Sequence, residues 1–189
     1  MTRSILLVGV GGQGTILASK ILTIGLMEAG YDVKMSEIHG MSQRGGSVSS
    51  QIRFGERVYS PVIDKKGAEL LIAFEKMEAL RWSDYVKEDG VIVVNDVEIP
   101  SMSIINGTEK YADDVLEKLK TVAETKLINA TEIAKKLGNE KAANIVLLGT
   151  IIKSMSLEAI DWDSIIRANV KPAFADLNIE AFKVGINVY

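Results

Sequence analysis

The amino-acid sequence predicts an α/β fold with a doubly wound, mostly parallel sheet and helices on both faces of the sheet. Short apolar segments, which are typical of buried parallel strands, alternate along the chain with longer segments whose apolar residues recur every three or four positions. The first pair is Ile5–Val8 followed by Thr15–Ala29, and a glycine-rich turn joins the two. A strand, a glycine-rich turn and a helix in this order are typical of the start of a Rossmann-like fold.

The rest of the chain continues this alternation. Further strands are predicted at Asp32–Glu37, Leu70–Phe74 and Val91–Asn95, with shorter ones at Ser103–Asn106 and Lys126–Asn129. Helices are predicted at Lys76–Lys87, Ala112–Ala123, Thr131–Leu137, Lys141–Met155, Trp162–Val170 and Ile179–Gly185. The first two strands and the helix between them are expected to form a βαβ unit. Because the chain has 189 residues and no obvious linker, residues 1–189 are expected to form a single domain.

Residues 47–62 interrupt the alternation and predict an inserted β-hairpin. In Ser47–Phe54 apolar and polar residues alternate, as in a strand with one buried face. Gly55–Glu56 is a two-residue connection with glycine first, as a type II′ turn requires, and Arg57–Val62 is the expected return strand. Pro61 indicates that the return strand lies at an edge of the sheet.

The composition limits the classes of function. A net charge of −3 and a pI near 5.3 argue against a general nucleic-acid surface. The chain has no cysteine, which excludes cysteine-ligated iron–sulfur clusters, and its one histidine argues against a structural zinc site. The apolar run near the N-terminus is too short to span a bilayer, so a cytoplasmic protein that does not bind membranes is expected.

The sequence GVGGQG places Gly9, Gly11 and Gly14 at the G-x-G-x-x-G spacing between a strand and a helix. Glycines in such a turn let backbone N–H groups approach an anion at the helix N-terminus. One interpretation is a dinucleotide site in which Glu37, at the end of the second strand, binds the ribose. The other is that the glycines only allow close packing of the helix on the strand. The glycine-rich segment and the hairpin after the second strand weaken the dinucleotide interpretation.

A second polar segment, SEIHGMSQRGGSV, covers Ser36–Val48. In it His39 is a candidate general base, metal ligand or loop-ordering residue, and no companion at ligand spacing supports the metal. Arg44 is a candidate contact for a carboxylate or another anion, and equally an ordinary solvated arginine. The segment follows a strand, as the glycine loop does. Both are therefore expected at the sheet edge where α/β proteins bind ligands.

Five segments together resemble one protein family. They are VGVGGQG, SEIHGMSQRGGSV and RFGERVYSPVI in the first third of the chain, and AANIVLLGT (Ala142–Thr150) and NIEAFKVG (Asn178–Gly185) nearer its end. They resemble the γ-type subunits of the 2-oxoacid:ferredoxin oxidoreductases, and HGMSQRGGSV is most similar to the indolepyruvate type. A γ subunit of the pyruvate or 2-oxoglutarate type and a free-standing dinucleotide-binding protein are the alternatives.

The resemblance implies that the chain is the small subunit of a heteromeric enzyme and is inactive alone. The complex would oxidatively decarboxylate an aryl 2-oxoacid to an acyl-CoA, using thiamine diphosphate, Mg²⁺, 4Fe–4S clusters and CoA. A large partner subunit would carry the thiamine site and the clusters and pass electrons to ferredoxin. The small chain would hold no cofactor by itself and, when isolated, could form a homodimer.

The resemblance also implies a seam with the partner at the glycine-lined edge of the sheet. It assigns no certain catalytic residue to this chain; His39 and Arg44 are the candidates. The glycine loop would lie near CoA or the thiamine phosphates, and the predicted hairpin would add docking surface. The candidate cofactor-binding or seam residues are Gly9, Gly11, Gly12, Gln13, Gly14, Glu37, Gln43, Arg44, Gly45 and Gly46.

Overall fold

A computed structural model describes residues 2–39, 45–100 and 102–189, without the side chain of His39. Within these residues the strands are Arg3–Val10 (β1), Asp32–His39 (β2), Ser47–Gly55 (β3), Ala68–Ala73 (β4), Val86–Asn95 (β5) and Glu124–Ile128 (β6). They form one sheet in the order β2-β3-β1-β4-β5-β6, and β1, β4, β5 and β6 are parallel neighbours. The predicted α/β class with a mostly parallel sheet is confirmed.

The helices follow the predicted order with one exception. They are Thr15–Glu28 (α1), Lys76–Trp82 (α2), Met102–Ile105 (α3), Val115–Val122 (α4), Ala130–Lys136 (α5), Ala143–Ser154 (α6), Trp162–Asn169 (α7) and Ala175–Asn187 (α8). The exception is α3, since the sequence predicts a strand at Ser103–Asn106. That prediction is wrong. The two adjacent isoleucines favour a strand locally, but the segment pairs with none of the described strands. It closes a helical turn instead, in which the Asn106 N–H donates to the Met102 carbonyl at 3.0 Å.

The first three strands are arranged differently from the predicted βαβ unit. β3 lies between β1 and β2 and pairs antiparallel with both. Ile52 of β3, opposite Ile5 and Met35, is fully buried. The hairpin is therefore formed by β2 and β3, and its predicted position at residues 47–62 is wrong.

The segment that was predicted as the return strand, within residues 56–67, forms no strand. Side chains bind its backbone in place of a neighbouring strand. The Val58 N–H donates to the Asp32 carboxylate at 2.8 Å, and the Ile63 N–H donates to the Gln51 side-chain oxygen at 2.7 Å. Because polar side chains satisfy these backbone groups, the segment crosses the sheet without pairing.

The sheet separates two apolar cores. Ile5 and Leu7 of β1 pack with α1, α6, α7 and α8 on one face, whereas Leu6 and Val8 pack with α2 and α4 on the other. All four side chains are fully buried. Helices thus cover both faces, as a doubly wound sheet requires. Among the described helices, none combines the length and the apolar character of a transmembrane span.

The two C-terminal segments that the sequence analysis singled out pack against each other. Gly149 of α6 and Gly185 of α8 allow the two backbones to touch, since a Cβ built on Gly149 would lie 2.3 Å from the Phe182 carbonyl oxygen and one on Gly185 would lie 2.0 Å from the Val146 carbonyl oxygen. This contact fixes α6 beneath the loop that follows β1.

Candidate functional site

The glycine loop after β1 touches the end of the second polar segment. The Gly11 N–H donates to the Gly46 carbonyl at 2.8 Å, and the Gly45 N–H donates to the Gly11 carbonyl at 3.3 Å. These bonds confirm that the two segments meet at the end of the sheet where the parallel strands β1 and β4 finish. We call this end of the sheet, formed by residues 9–14 and 45–47, the rim.

The side chain of Gln13 fixes the glycine loop. Its oxygen accepts from the Val10 N–H at 2.8 Å, and its nitrogen donates to the Phe74 carbonyl at 2.7 Å, so it joins the ends of β1 and β4. A Cβ at Gly9 would lie 2.9 Å from both the Gln13 oxygen and the Phe74 Cβ. Gln13 thus has a structural role, and Gly9 leaves the space that Gln13 occupies.

The N-terminus of α1 begins at Gly14, which has a φ of 81° and caps the helix without a side chain. The Asn144 side chain of α6 donates to the Gly14 carbonyl at 3.3 Å. A Cβ at position 14 would lie 2.6 Å from the Asn144 nitrogen, so both the backbone conformation and the space favour glycine. Without a side-chain cap, the first N–H groups of α1 are suited to an anion from a ligand.

A cleft of about 940 Å³ opens beside the glycine loop, between α1, α6 and α8. Its polar lining consists mostly of neutral amides, and its charged residues are two exposed lysines and the exposed Glu140, which leave one net positive charge. The principal lining residues are Gly12, Gln13, Gly14, Phe74, Asn95, Thr131, Lys141, Asn144, Lys171, Phe174 and Asn178. The volume suits an elongated ligand, and the lysines with the α1 N-terminus suit an anionic one.

The floor of the cleft is fixed by Asn95, at the end of β5. Its nitrogen donates to the Phe74 carbonyl at 3.2 Å and to the Thr131 hydroxyl at 3.0 Å, and its oxygen accepts from the Ala130 N–H at 3.0 Å. Asn95 is buried. The sequence analysis missed it, although an asparagine directly after the apolar run of β5 is a polar residue at the carboxyl end of a parallel strand.

Glu37 is held away from the glycine loop. It lies on β2, and its carboxylate accepts from the buried Ser19 hydroxyl of α1 at 2.8 Å. The dinucleotide interpretation needs this acid on the strand next to β1, but β3 intervenes and moves β2 about 4.8 Å further out. The strand order therefore argues against Glu37 as a ribose ligand.

Several candidate residues lie outside the described residues. They are Gln43 and Arg44, together with the side chain of His39; the backbone of His39 ends β2. Their roles stay predictions. The structure describes Gly45 and Gly46, and it places both at the rim.

Two buried carboxylates on the other side of the rim were missed by the sequence analysis. Glu75 and Glu78 have 0% and 1% of their surface exposed. Glu78 accepts a hydrogen bond from the Ser47 hydroxyl and pairs with Arg81, whose Nε lies 3.3 Å from its oxygen. Burial raises the pKa of Glu78, and the bond from Ser47 and the charge of Arg81 oppose this increase only in part.

Glu75 organises the start of α2 and the chain that follows β5. Its carboxylate accepts from the Glu78 N–H at 3.0 Å, from the Ile99 N–H at 3.2 Å and from the Tyr111 hydroxyl. Burial, followed by the neighbouring Glu75, raises the pKa of Tyr111. The available signal was a carboxylate directly after a buried strand, followed three residues later by a second one, as in a helix-capping pair.

The described side chains contain no group of three or more potential metal ligands among histidine, cysteine, aspartate and glutamate.

The whole chain is similar to known oxidoreductase subunits. The family model described as pyruvate ferredoxin/flavodoxin oxidoreductase matches residues 4–188. The indolepyruvate oxidoreductase subunit IorB of Archaeoglobus fulgidus is 38% identical over 99% of this chain and 95% of that protein. IorB of Pyrococcus horikoshii is 35% identical over 97% of this chain and 94% of that protein.

Solved structures show the same fold. The γ subunit of a keto/oxoacid ferredoxin oxidoreductase from Geobacter sulfurreducens superposes with a TM-score of 0.72 and 25% identity, over 98% of this chain and 96% of that one. A 2-oxoglutarate:ferredoxin oxidoreductase from Magnetococcus marinus, solved with 2-oxoglutarate, coenzyme A and succinyl-CoA, superposes with a TM-score of 0.73 at 18% identity, over 98% of this chain and 30% of that one.

Proposed function

Because this chain belongs to the pyruvate ferredoxin/flavodoxin oxidoreductase family, we propose that it is the small, γ-type subunit of a 2-oxoacid:ferredoxin oxidoreductase that acts on indolepyruvate or a related aryl pyruvate. The main support is the 38% identity to an IorB subunit over nearly the full length of both proteins. Subunits named for ketoisovalerate, pyruvate/ketoisovalerate and 2-oxoglutarate match at only 27%, 28% and 24% identity. The similarity therefore favours the aryl type.

The chemistry of the residues supports a division of labour between two subunits. The chain has no cysteine, so it cannot hold a 4Fe–4S cluster through cysteine ligands. The clusters are therefore assigned to a large partner, which passes electrons to ferredoxin. The family resemblance assigns thiamine diphosphate and Mg²⁺ to the same partner. We place the complex in the cytoplasm.

The rim and its cleft are the proposed seam with the partner and the side on which CoA binds. CoA is elongated and carries phosphates, and the cleft offers an uncapped helix N-terminus with Lys141 and Lys171 nearby. CoA supplies the thiol that accepts the acyl group. The proposed contribution of this chain is to bind its anionic portion through the N–H groups at the N-terminus of α1, directly after Gly14.

The proposal is tested by producing the chain with and without the large subunit. The complex is expected to reduce ferredoxin with indolepyruvate and CoA, faster than with pyruvate, 2-oxoglutarate or ketoisovalerate, and neither subunit alone should do so. Ferredoxin reduction by the small chain alone would contradict the division of labour. Size-exclusion chromatography of the isolated chain tests whether it forms a homodimer through surface that the partner would cover.

Three variants address the seam and the cleft. Arg44→Ala is expected to lower turnover without loss of assembly, and Arg44→Lys should recover only part of it, because lysine lacks the planar fork of donors. Lys141→Ala combined with Lys171→Ala is expected to raise the KM for CoA and leave that for indolepyruvate unchanged.

Calorimetric titration of the chain with NAD⁺, NADP⁺ and FAD tests the dinucleotide alternative, for which micromolar binding would be required.

A further inference from the structure

A chain of polar contacts connects the base of the β2–β3 loop with α2. Ser47, the first residue of β3, donates its hydroxyl hydrogen to Glu78. The second oxygen of Glu78 lies 3.3 Å from Arg81 Nε. Both terminal nitrogens of Arg81 then donate to the carboxylate of Glu109, one of them at 3.4 Å. The carboxylate of Glu78 therefore joins a serine at the rim to an arginine that reaches the chain after β5.

The contacts return to the rim through α3. Glu109 accepts from the Ser103 hydroxyl at 2.7 Å. Met102, which directly precedes Ser103, donates its N–H to the Gly45 carbonyl at 3.4 Å, and Gly45 precedes Ser47 by two residues. The contacts thus form a closed circuit, in which the base of the loop is fixed from α2 and from α3 at once.

This circuit lies outside the two apolar cores of the domain. α3 contributes no buried side chain, and Met102 and Ile105 are 51% and 66% exposed. Ser47 is also exposed, whereas Glu78 is 1% exposed. A buried carboxylate is costly, so a hydrophobic residue of similar size would suit a purely structural position. One oxygen of Glu78 instead binds Ser47, the first residue of β3.

We propose that Glu78 is a positioning residue for the reaction of the assembled enzyme, acting through Ser47 on Gly45 and Gly46 at the rim. The same two glycines bond to Gly11, so the circuit also sets the position of the glycine loop relative to the start of β3. Glu78 has no contact with substrate in this role. The proposal rests on the proposed function, because it requires that the rim faces the reaction in the complex.

The test uses the complex with the large subunit, in which turnover is expressed per assembled complex. Ser47→Ala removes one hydroxyl from an exposed site and is expected to lower kcat about tenfold with a change in the KM for the 2-oxoacid below about twofold. Ser47→Thr keeps the hydroxyl and should recover most of the lost turnover. Glu69→Ala, which removes an ion pair with Arg3 at the opposite end of the sheet, is the matched control and should leave kcat unchanged.

Glu78→Gln provides a second, independent measurement. Glutamine can accept from the Ser47 hydroxyl but has no charge to pair with Arg81, so the kcat of Glu78→Gln should lie between the values of the wild type and of Ser47→Ala. The inference is overturned if Ser47→Ala matches wild type per complex, or if all loss of activity is accounted for by loss of assembly. If the wild-type complex oxidises no 2-oxoacid at all, the proposed function fails first.

Discussion

The two sides of the rim are held by different kinds of contact. On the side of the cleft, neutral groups fix the glycine loop: the amides of Gln13 and Asn144 bond to backbone atoms at the end of β1, directly after β4 and directly before α1. On the other side, charged groups fix the base of the β2–β3 loop, with the buried Glu78 between Ser47 and Arg81. The hydrogen bonds of amides do not change with pH because amides do not titrate, whereas the contacts of a buried carboxylate depend on whether it is protonated.

The difference separates two tasks. The neutral side leaves the N-terminus of α1 available to an anion, although the exposed Glu140 also lines the cleft and offsets part of the charge of its two lysines. The two buried carboxylates, Glu75 and Glu78, lie on the opposite face of the sheet, where hydrogen-bond donors hold them. The rim is therefore suited to bind an anionic ligand on one side and to fix a loop on the other.

Gly9→Val is expected to have the largest effect and breaks the neutral side. Its Cβ would lie 2.9 Å from both the Gln13 oxygen and the buried Phe74 Cβ. Because Phe74 cannot move without disturbing β4, the free energy of unfolding should fall by about 3 kcal/mol. Urea denaturation of the full chain, followed by circular dichroism, measures the change.

Gly12→Ala is the control for that experiment. Gly12 has a φ of 107°, but a Cβ there meets no atom of the described residues within 4 Å. Only the backbone conformation then opposes the substitution, at about 1 kcal/mol. Equal losses for the two variants would show that close packing at Gly9 is not what requires glycine.

Glu78→Ala is the next largest and breaks the charged side. It removes the acceptor of Ser47 and the buried partner of Arg81, so the free energy of unfolding should fall by about 2 kcal/mol. Lys65→Ala, in an ion pair with Asp84 whose side chains are both mostly exposed, should leave the unfolding midpoint unchanged. A similar loss in both variants would indicate a general charge effect and not a buried contact.

The sequence predicted the neutral side better than the charged side for a physical reason. The spacing of Gly9, Gly11 and Gly14 marks the glycine loop within six residues, although the side chains that crowd two of these glycines include the distant Phe74 and Asn144. The contacts of the charged side join residues that are 31 positions apart for Ser47 and Glu78, and 28 apart for Arg81 and Glu109. No local pattern contains such pairings, although a carboxylate after a buried strand marks where to look.

The error at the hairpin has a similar origin. The alternation in Ser47–Phe54 correctly predicted a strand, but alternation does not identify the neighbours of a strand. Here β1 and β2 both accept β3, and the backbone of the next segment is bonded by the side chains of Asp32 and Gln51. That choice depends on tertiary contacts, which the local turn residues Gly55–Glu56 do not report.

Gln13→Ala is expected to have a smaller effect than Glu78→Ala and tests the neutral side again. It leaves the Val10 N–H without its acceptor, while the Phe74 carbonyl keeps its bond from Asn95. The free energy of unfolding should fall by about 1 kcal/mol, with no dependence on pH between 5 and 8 because neither group titrates there. Lys20→Ala, on the exposed surface of α1, is the control and should change stability by less than about 0.5 kcal/mol.

The smallest effect is the pH dependence that Glu78 contributes. Burial raises the pKa of Glu78 above its ordinary value, so the native state holds this proton more tightly than the unfolded state does. Its contribution to stability is then fully present below the ordinary pKa of glutamate and is lost as the pH rises through the raised native pKa. Relative to Glu78→Gln, which cannot titrate, the wild type should become less stable as the pH rises through this window.

Glu109→Gln gives the opposite slope and makes the comparison within one circuit. The hydrogen bond from Arg81 lowers the pKa of Glu109, so its contribution is present above the ordinary pKa of glutamate and is lost as the pH falls through the lowered native value. Relative to Glu109→Gln, the wild type should therefore become less stable as the pH falls. Urea midpoints from pH 3 to 8 measure both differences, and each difference cancels the titration of distant groups. The opposite signs are expected because Glu78 is buried, whereas Glu109 is exposed and paired with Arg81. Two stability differences that change with pH in the same direction would contradict this arrangement of the charges.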